Sequence, residues 1–391
     1  MNHPSLTPFV IELLYYYPDA IAQDCWRDCF TNPLHMAAYH NDLQVVLVIL
    51  DKNISLLNKL DSSNQTPLQI AVKKKSKEVA EGILKFPNVD INNIDDKGLT
   101  VLFHYTEWRL MSKLLKYPSI NVRVKDRCGQ SAFYMFLRFV LRNNYKYTMR
   151  SQIFKVIKLF MSIPGTLKSR NSLGETILHS IIGWNNPDLL SVILSENAIL
   201  LTKVDIGGDT PLHKACGILG IDLMRETKNR NNHLRCLDIL LHYIDSDTLN
   251  LKANNKLTAL HCACRFGNDI ALKKLLQHPD IHLNLCDACG DTPLFHTIYN
   301  SELLFKETNI NGLGSPHLAW NLTCLRLLLD HNECLIFGRN ADGNRLIDLA
   351  RNRLCLVCDF PVHNRNGSLT NDFLKIIDEI EHYMVKARLK T

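Results

Sequence analysis

No run of apolar residues in this chain approaches the ~20 needed to cross a bilayer. The longest, around Val45 to Leu50, has the length of a core helix. The start, MNHPSLTPFVIELLYYY, lacks a basic leader and a small-residue cleavage site, so neither secretion by a signal peptide nor membrane insertion is expected. The chain reads as soluble, cytoplasmic and monomeric. It also lacks a disulfide framework: thirteen cysteines is an odd number, scattered through helix-like segments, which suits reduced thiols. There is no basic arm either. A net charge of +6 over 391 residues is modest, acidic and basic residues read as interspersed, and nucleic acid is not an expected partner.

What the chain does have is internal repetition. The octet Asp209 to Cys216, DTPLHKAC, is echoed along the sequence. Its chemistry explains its recurrence. Thr210 can cap a helix with its hydroxyl, Pro211 suits a first helical position where no N–H is needed, and Leu212 begins an apolar face. Gly207 and Gly208 supply the turn before it. Positions equivalent to Thr210 are Asn32, Thr66, Thr100, Ser131, Thr176, Thr258, Thr292 and Arg345. Each is followed by a short helix and then by an apolar i, i+3, i+4 triad such as Leu190, Ile193 and Leu194, the stripe of a second helix. From the first triad member to the next anchor is 20 residues almost throughout, whereas anchor to triad varies from the usual 14 to 25 after Ser131, 27 after Thr210 and 33 after Thr292. Insertions therefore fall between the two helices of a repeat.

A unit of roughly 33 residues with TPLH, Ala and Leu pairs and a D-x-x-G turn resembles the ankyrin repeat. The resemblance covers nearly the whole chain and is strongest at Asn32–Ala38, Thr66–Val72, Thr210–Cys216 and Thr258–Cys264, weakest at Ser131 and Arg345. It implies an all-α solenoid of about nine helix-turn-helix repeats. Residues 1–31 are expected as an N-terminal capping half-repeat and 32–353 as repeats with insertions near 140–152, 217–234 and 299–322. Residues 354–391 follow as an inserted loop and a C-terminal capping helix with Phe373, Leu374, Ile376, Ile377, Ile380 and Met384 inward. The function implied is a non-enzymatic scaffold binding a protein partner through a concave face and the inserted loops. The irregular repeats and acidic tail are further similar to ankyrin effectors that intracellular bacteria deliver by type IV secretion, which would make the partner a host protein and the location the host cytosol.

Within that frame, the residue eight past the anchor is Trp108, Phe139, Trp184, Ile218 and Phe266 in five repeats, near the end of the first helix. In the ankyrin family this region borders the concave surface, and aromatic residues are enriched in interface hot spots. With Trp320 in an insertion, these are the expected partner-binding residues; burial under the insertions is the competing reading. Cys355 and Cys358 with His363 have the spacing of half a zinc site but show three ligands where tetrahedral zinc needs four, so no metal and no cofactor is expected. Cys262 and His296 occupy equal positions of adjacent repeats, which frames the alternative, a cysteine hydrolase built on the same scaffold; no Asp or Asn stands at the corresponding place in the next repeat to orient the histidine. The histidines of TPLH read as hydrogen-bonding helix-start residues. Leu84 followed by Asp90, Ile91 and Asn92 resembles the pattern that asparaginyl hydroxylases modify in ankyrin proteins, with Asn92 as acceptor.

Overall fold

The computed structural model describes residues 32–104, 108–142, 150–218, 227–299, 316–331, 335–359 and 368–388, together with Glu12. These contain helices throughout and no β-strand, only two isolated bridges, Lys125 with Ser131 and Arg339 with Arg345. The chain divides into two compact bodies, residues 1–172 and 173–391.

Each of the nine anchors immediately precedes a helix. In the N-terminal body these first helices are α1 (Pro33–His40), α3 (Pro67–Lys74), a 3₁₀ turn (Val101–Phe103) and α6 (Ala132–Arg142); the second helices are α2 (Leu43–Lys52), α4 (Lys77–Ile83), α5 (Trp108–Leu115) and α7 (Arg150–Ser162). In the C-terminal body the first helices are α8 (Ile177–Gly183), α10 (Pro211–Cys216), α13 (Ala259–Arg265), α15 (Pro293–Tyr299) and α17 (Leu346–Asp359). Their second helices are α9 (Pro187–Glu196), α11 (Thr227–Tyr243), α14 (Asp269–Leu276), α16 (Pro316–Leu329) and α18 (Ser368–Arg388), with a single turn, α12 (Ser246–Leu249), after α11.

Capping chemistry fixes where the first helices start. At α8, α10 and α13 the anchor threonine N–H donates to Nδ1 of the histidine three residues on, at 3.2, 3.3 and 3.0 Å. Since Nδ1 accepts, the proton sits on Nε2, and that nitrogen donates to a carbonyl of the following repeat: His179 to Asp209, His213 to Leu257 and His261 to Asp291, at 2.9 to 3.1 Å. His35 reaches Gln65 O in the same way. One buried imidazole thus ties the start of its own helix to the next repeat, as expected of TPLH. In α3 a glutamine, Gln69, performs the same reciprocal cap on Thr66.

Packing follows the two helical roles. Within each body first helices lie against first helices and second against second, as in α8, α10, α13, α15 and α17, or α9, α11, α14, α16 and α18. The triad leaders Val46, Ala80, Met111, Val156, Leu190, Leu237, Leu272 and Leu325 are all essentially inaccessible. Each large one contributes about 1.5–3 kcal/mol of apolar burial. Turns stack as well: Asp96, Asn254, Ala288 and Ala341 donate their N–H to the turn of the preceding repeat at 3.0 or 3.1 Å.

The inserted residues do not all form loop. Beside ordinary helices of 6 to 10 residues, α6 has 11, α7 13, α11 17, α16 and α17 14 each, and α18 21. Insertion is absorbed in part by lengthening the flanking helices. In α18, Ile376, Ile377 and Ile380 are buried as expected, but Leu374 is 43% exposed and Met384 half-buried, so the inward stripe is narrower than its apolar residues suggest. The acidic residues of this helix are used in docking: Arg326 forks onto both Glu379 oxygens at 2.9 and 3.0 Å, and Arg351 meets Glu381 at 2.6 Å.

Candidate functional site

Trp184, Ile218 and Phe266 occupy equivalent places in three successive repeats of the C-terminal body, just past the ends of α8, α10 and α13. Trp184 and Phe266 are the capping residues that close their helices, while Ile218 follows the cap Gly217. All three are half-buried. The Phe266 ring lies 3.6 Å from where a Cβ on Gly217 would stand, so the neighbouring repeat supplies one wall. Neither an open stripe nor a sealed core results: all three side chains keep part of their surface accessible, and for Phe266 the adjoining repeat supplies the wall at Gly217.

The N-terminal body departs from the expected placement. Trp108 begins the second helix α5 instead of ending a first helix, because the first helix there shrinks to the 3₁₀ turn Val101–Phe103. Its ring meets Phe136 edge-on at 6.0 Å. Phe139 sits inside the lengthened α6. Both are half-buried. Trp320 lies in α16, but its side chain is outside the described residues, as are those of Cys355 and Cys358 in α17; His363 and the expected N-terminal cap fall outside them altogether, Glu12 excepted.

Catalytic pairing of Cys262 with His296 does not arise from this geometry. Nε2 of His296 donates to Asp287 Oδ2 at 2.9 Å, and its ring stands edge-on to His261 at 5.2 Å. The orienting carboxylate sought in the next repeat is present after all, in the turn of the same repeat. Burial lowers the His296 imidazole, against the pull of Asp287, so the contact joins a neutral ring to a carboxylate. Burial also pushes the Cys262 thiol up to about 12, with Asp209 adding to it, the reverse of an activated nucleophile.

Among the described residues one group has the donors for a metal: Asp287, Asp291 and His296, with ligand atoms within 4.8 Å of one another. The Asp287 carboxylate is already engaged. Its Oδ1 accepts the N–H groups of Cys289 and Asp291 at 2.8 and 2.9 Å, and Oδ2 takes His296. Burial alone would raise this carboxyl, but those hydrogen bonds outweigh it and hold it below the usual range. The motif is the turn's own wiring, shared by Asp61, Asp95 and Asp126, whose Oδ1 atoms accept the same pair of N–H groups.

Asn92 proves to be one of a set. Its amide donates to Ser119 O at 2.7 Å and accepts from Asn121 N at 2.8 Å. Asn58 bridges to Asn88 and Asp90, and Asn250 to Asp280 and His282, in the same bidentate fashion. Each stands eight residues before an anchor, a regularity the octet does not contain. A second feature missed from the sequence is charge. Between Trp108 and Gly174 stand fourteen lysines and arginines and one acidic residue, Asp126, so the even interspersion expected of the whole chain fails locally.

Comparison with known proteins agrees with the repeat. Residues 6–95 match the family model described as ankyrin repeats (3 copies), and residues 255–285 match a single ankyrin repeat. The chain is 26% identical over 197 residues to the nuclear factor NF-kappa-B p105 subunit of Gallus gallus, covering 48% of this chain and 19% of that protein. It is 26% identical over 257 residues to human inversin, 65% of this chain and 22% of the relative. It is 24% identical over 172 residues to the probable 26S proteasome regulatory subunit p28 of Saccharomyces cerevisiae, 38% of this chain and 75% of that protein. The matched regions thus span about a fifth of the p105 subunit and of inversin.

Proposed function

The chain is an ankyrin-repeat protein, and we propose that it works as a non-enzymatic scaffold that binds a protein partner across the half-buried row Trp184, Ile218 and Phe266. The observation that carries this reading is that row: three large apolar side chains at one position of three successive repeats, all half-buried, with Phe266 against the adjoining repeat at Gly217. Side chains held by a packed stack lose little entropy on binding, which favours hot-spot use. Trp108 and Phe139 extend the proposal to the N-terminal body, and Trp320 and the inserted segments are proposed as further contacts.

The effector reading rests on resemblance alone and makes eukaryotic cytosol the place to seek the partner. Capture from that cytosol with the intact chain and with a Trp184→Ala, Ile218→Ala, Phe266→Ala variant, matched for helicity, should yield a partner that the variant loses at least about tenfold. Equal capture by both would remove the row from the account. Asn92 remains proposed as a hydroxylation acceptor, reachable only when its two amide hydrogen bonds open; an intact mass without an added oxygen after hydroxylase treatment would remove it.

A further inference from the structure

The basic excess between Trp108 and Gly174 is arranged, not diffuse. The chain as a whole carries 45 basic and 39 acidic side chains, so the remainder of the sequence is net acidic and this one stretch holds the positive charge. Along residues 122–126 the exposed Arg123 and Lys125 alternate with buried Val122 and half-buried Val124 and Asp126, while Arg127 opens the turn that follows and donates to Asp96 O of the preceding repeat. That is the period of an extended chain, placing successive charges about 6.6 Å apart on one side. The next repeat, 45 residues on, presents Lys168 and Arg170 at the places equivalent to Arg123 and Lys125.

These two edges are neighbours. Lys125 Nζ donates to Arg170 O at 2.8 Å, and a Cβ on Gly165 would stand 2.5 Å from Arg123 Nε, so that guanidinium lies over the backbone of the following repeat. Beside Arg123 opens a groove of about 590 Å³ whose walls include Leu115, Ile120, Val122, Ile163 and Pro164. A row of cations next to a groove of mixed lining, where Tyr117, Asn121 and Ser162 stand beside the apolar walls, suits a ligand that carries anionic groups and one small apolar group.

We propose that this edge binds an extended acidic segment of a protein, with Asp or Glu at alternate positions facing Arg123, Lys125 and Lys168 and an apolar side chain in the groove. An extended peptide repeats its same-side residues at the spacing of Arg123 and Lys125, and Lys168 on the adjoining edge flanks that pair. Single-stranded nucleic acid would want aromatic faces for its bases. The groove has one aromatic wall, Tyr117, and a single ring offers no succession of faces for stacked bases. The proposal takes only the class of partner from the scaffold reading; it concerns a different surface from the aromatic row, so either can fail alone.

The test is fluorescence anisotropy on the full chain with three probes of equal charge: a peptide alternating Glu with small residues around one Leu, a peptide with its Glu residues contiguous, and a single-stranded DNA. Vesicles of phosphatidylserine form a fourth arm. The alternating peptide should bind best, weaken as salt rises, and lose about tenfold in affinity in Arg123→Gln, Lys125→Gln, Lys168→Gln. The same number of charges removed at Lys85, Lys203 and Lys256 should leave binding within about twofold. Preference for DNA or vesicles over the alternating peptide, or peptide binding undiminished in the first variant, would overturn the proposal.

Discussion

His233 is wholly buried in α11, where it accepts from Asn268 Nδ2 at 3.2 Å, and burial pulls its imidazole down to about 4. Burial brings His261 to about 4 as well, helped by His296. An unfolded imidazole titrates near 6.5, so the folded chain binds fewer protons through this range. The stability these groups contribute is therefore complete above about pH 6.5, is lost as pH falls from there to about 4, and changes no further below. Each shift is worth on the order of 3 kcal/mol. Urea midpoints should drop steadily between pH 7 and 4, and His233→Leu should flatten part of that drop; a midpoint that rose on acidification would contradict this account. Thiols give a second readout. Cys128, Cys286 and Cys289 are exposed, whereas Cys216, Cys236, Cys262, Cys264 and Cys324 are buried. A small alkylating reagent should modify the first three in the native chain and spare the others until denaturant is added. Rapid, selective loss of the Cys262 thiol would revive the hydrolase reading.

The repeat element explains both what could be read in advance and what could not. Anchors, triads and the constant 20-residue return were legible because capping and apolar periodicity are local: Thr210 and Leu237 announce their roles within a few residues. The pairing of His296 with Asp287 and the bridges of Asn58, Asn92 and Asn250 were not, because each depends on a neighbour nine or about thirty residues away that no helical period marks. The fate of Trp108 was hidden for a related reason. The eighth residue past an anchor ends a first helix only where that helix is full, and after Thr100 the helix is a single turn. Glycine shows how closely the stacked turns approach. Gly208, Gly290 and Gly343 have φ near +80°, but a Cβ would meet Asn254 N at 2.6 Å from Gly208, Ala341 N at 2.6 Å from Gly290, and nothing within 4 Å from Gly343. Alanine at Gly343 should cost the left-handed penalty of about 1–2 kcal/mol. At Gly208 or Gly290 it should cost clearly more, read from chemical denaturation; equal losses at all three would mean the turns are free to part.

At the scale of the molecule, the charge of +6 concealed the most asymmetric feature of the chain. An average over 391 residues cancels a basic stretch against an acidic remainder, and the repeat pattern draws attention to apolar positions while leaving the turn edges unread. The described residues include no helix long and apolar enough to cross a membrane. What the repeats hold outward is thus a row of half-buried apolar side chains in one body and a basic edge in the other. For the central claim, that the row is where a partner sits, the most direct measurement is photo-crosslinking from single positions in the intact chain. A benzophenone side chain at Trp184 or Phe266 should yield a covalent adduct with the captured partner, and the same probe at Ser195, exposed near the end of α9, should yield none. Adducts from Ser195 with none from Trp184 or Phe266 would contradict the account and place the binding surface on the second helices.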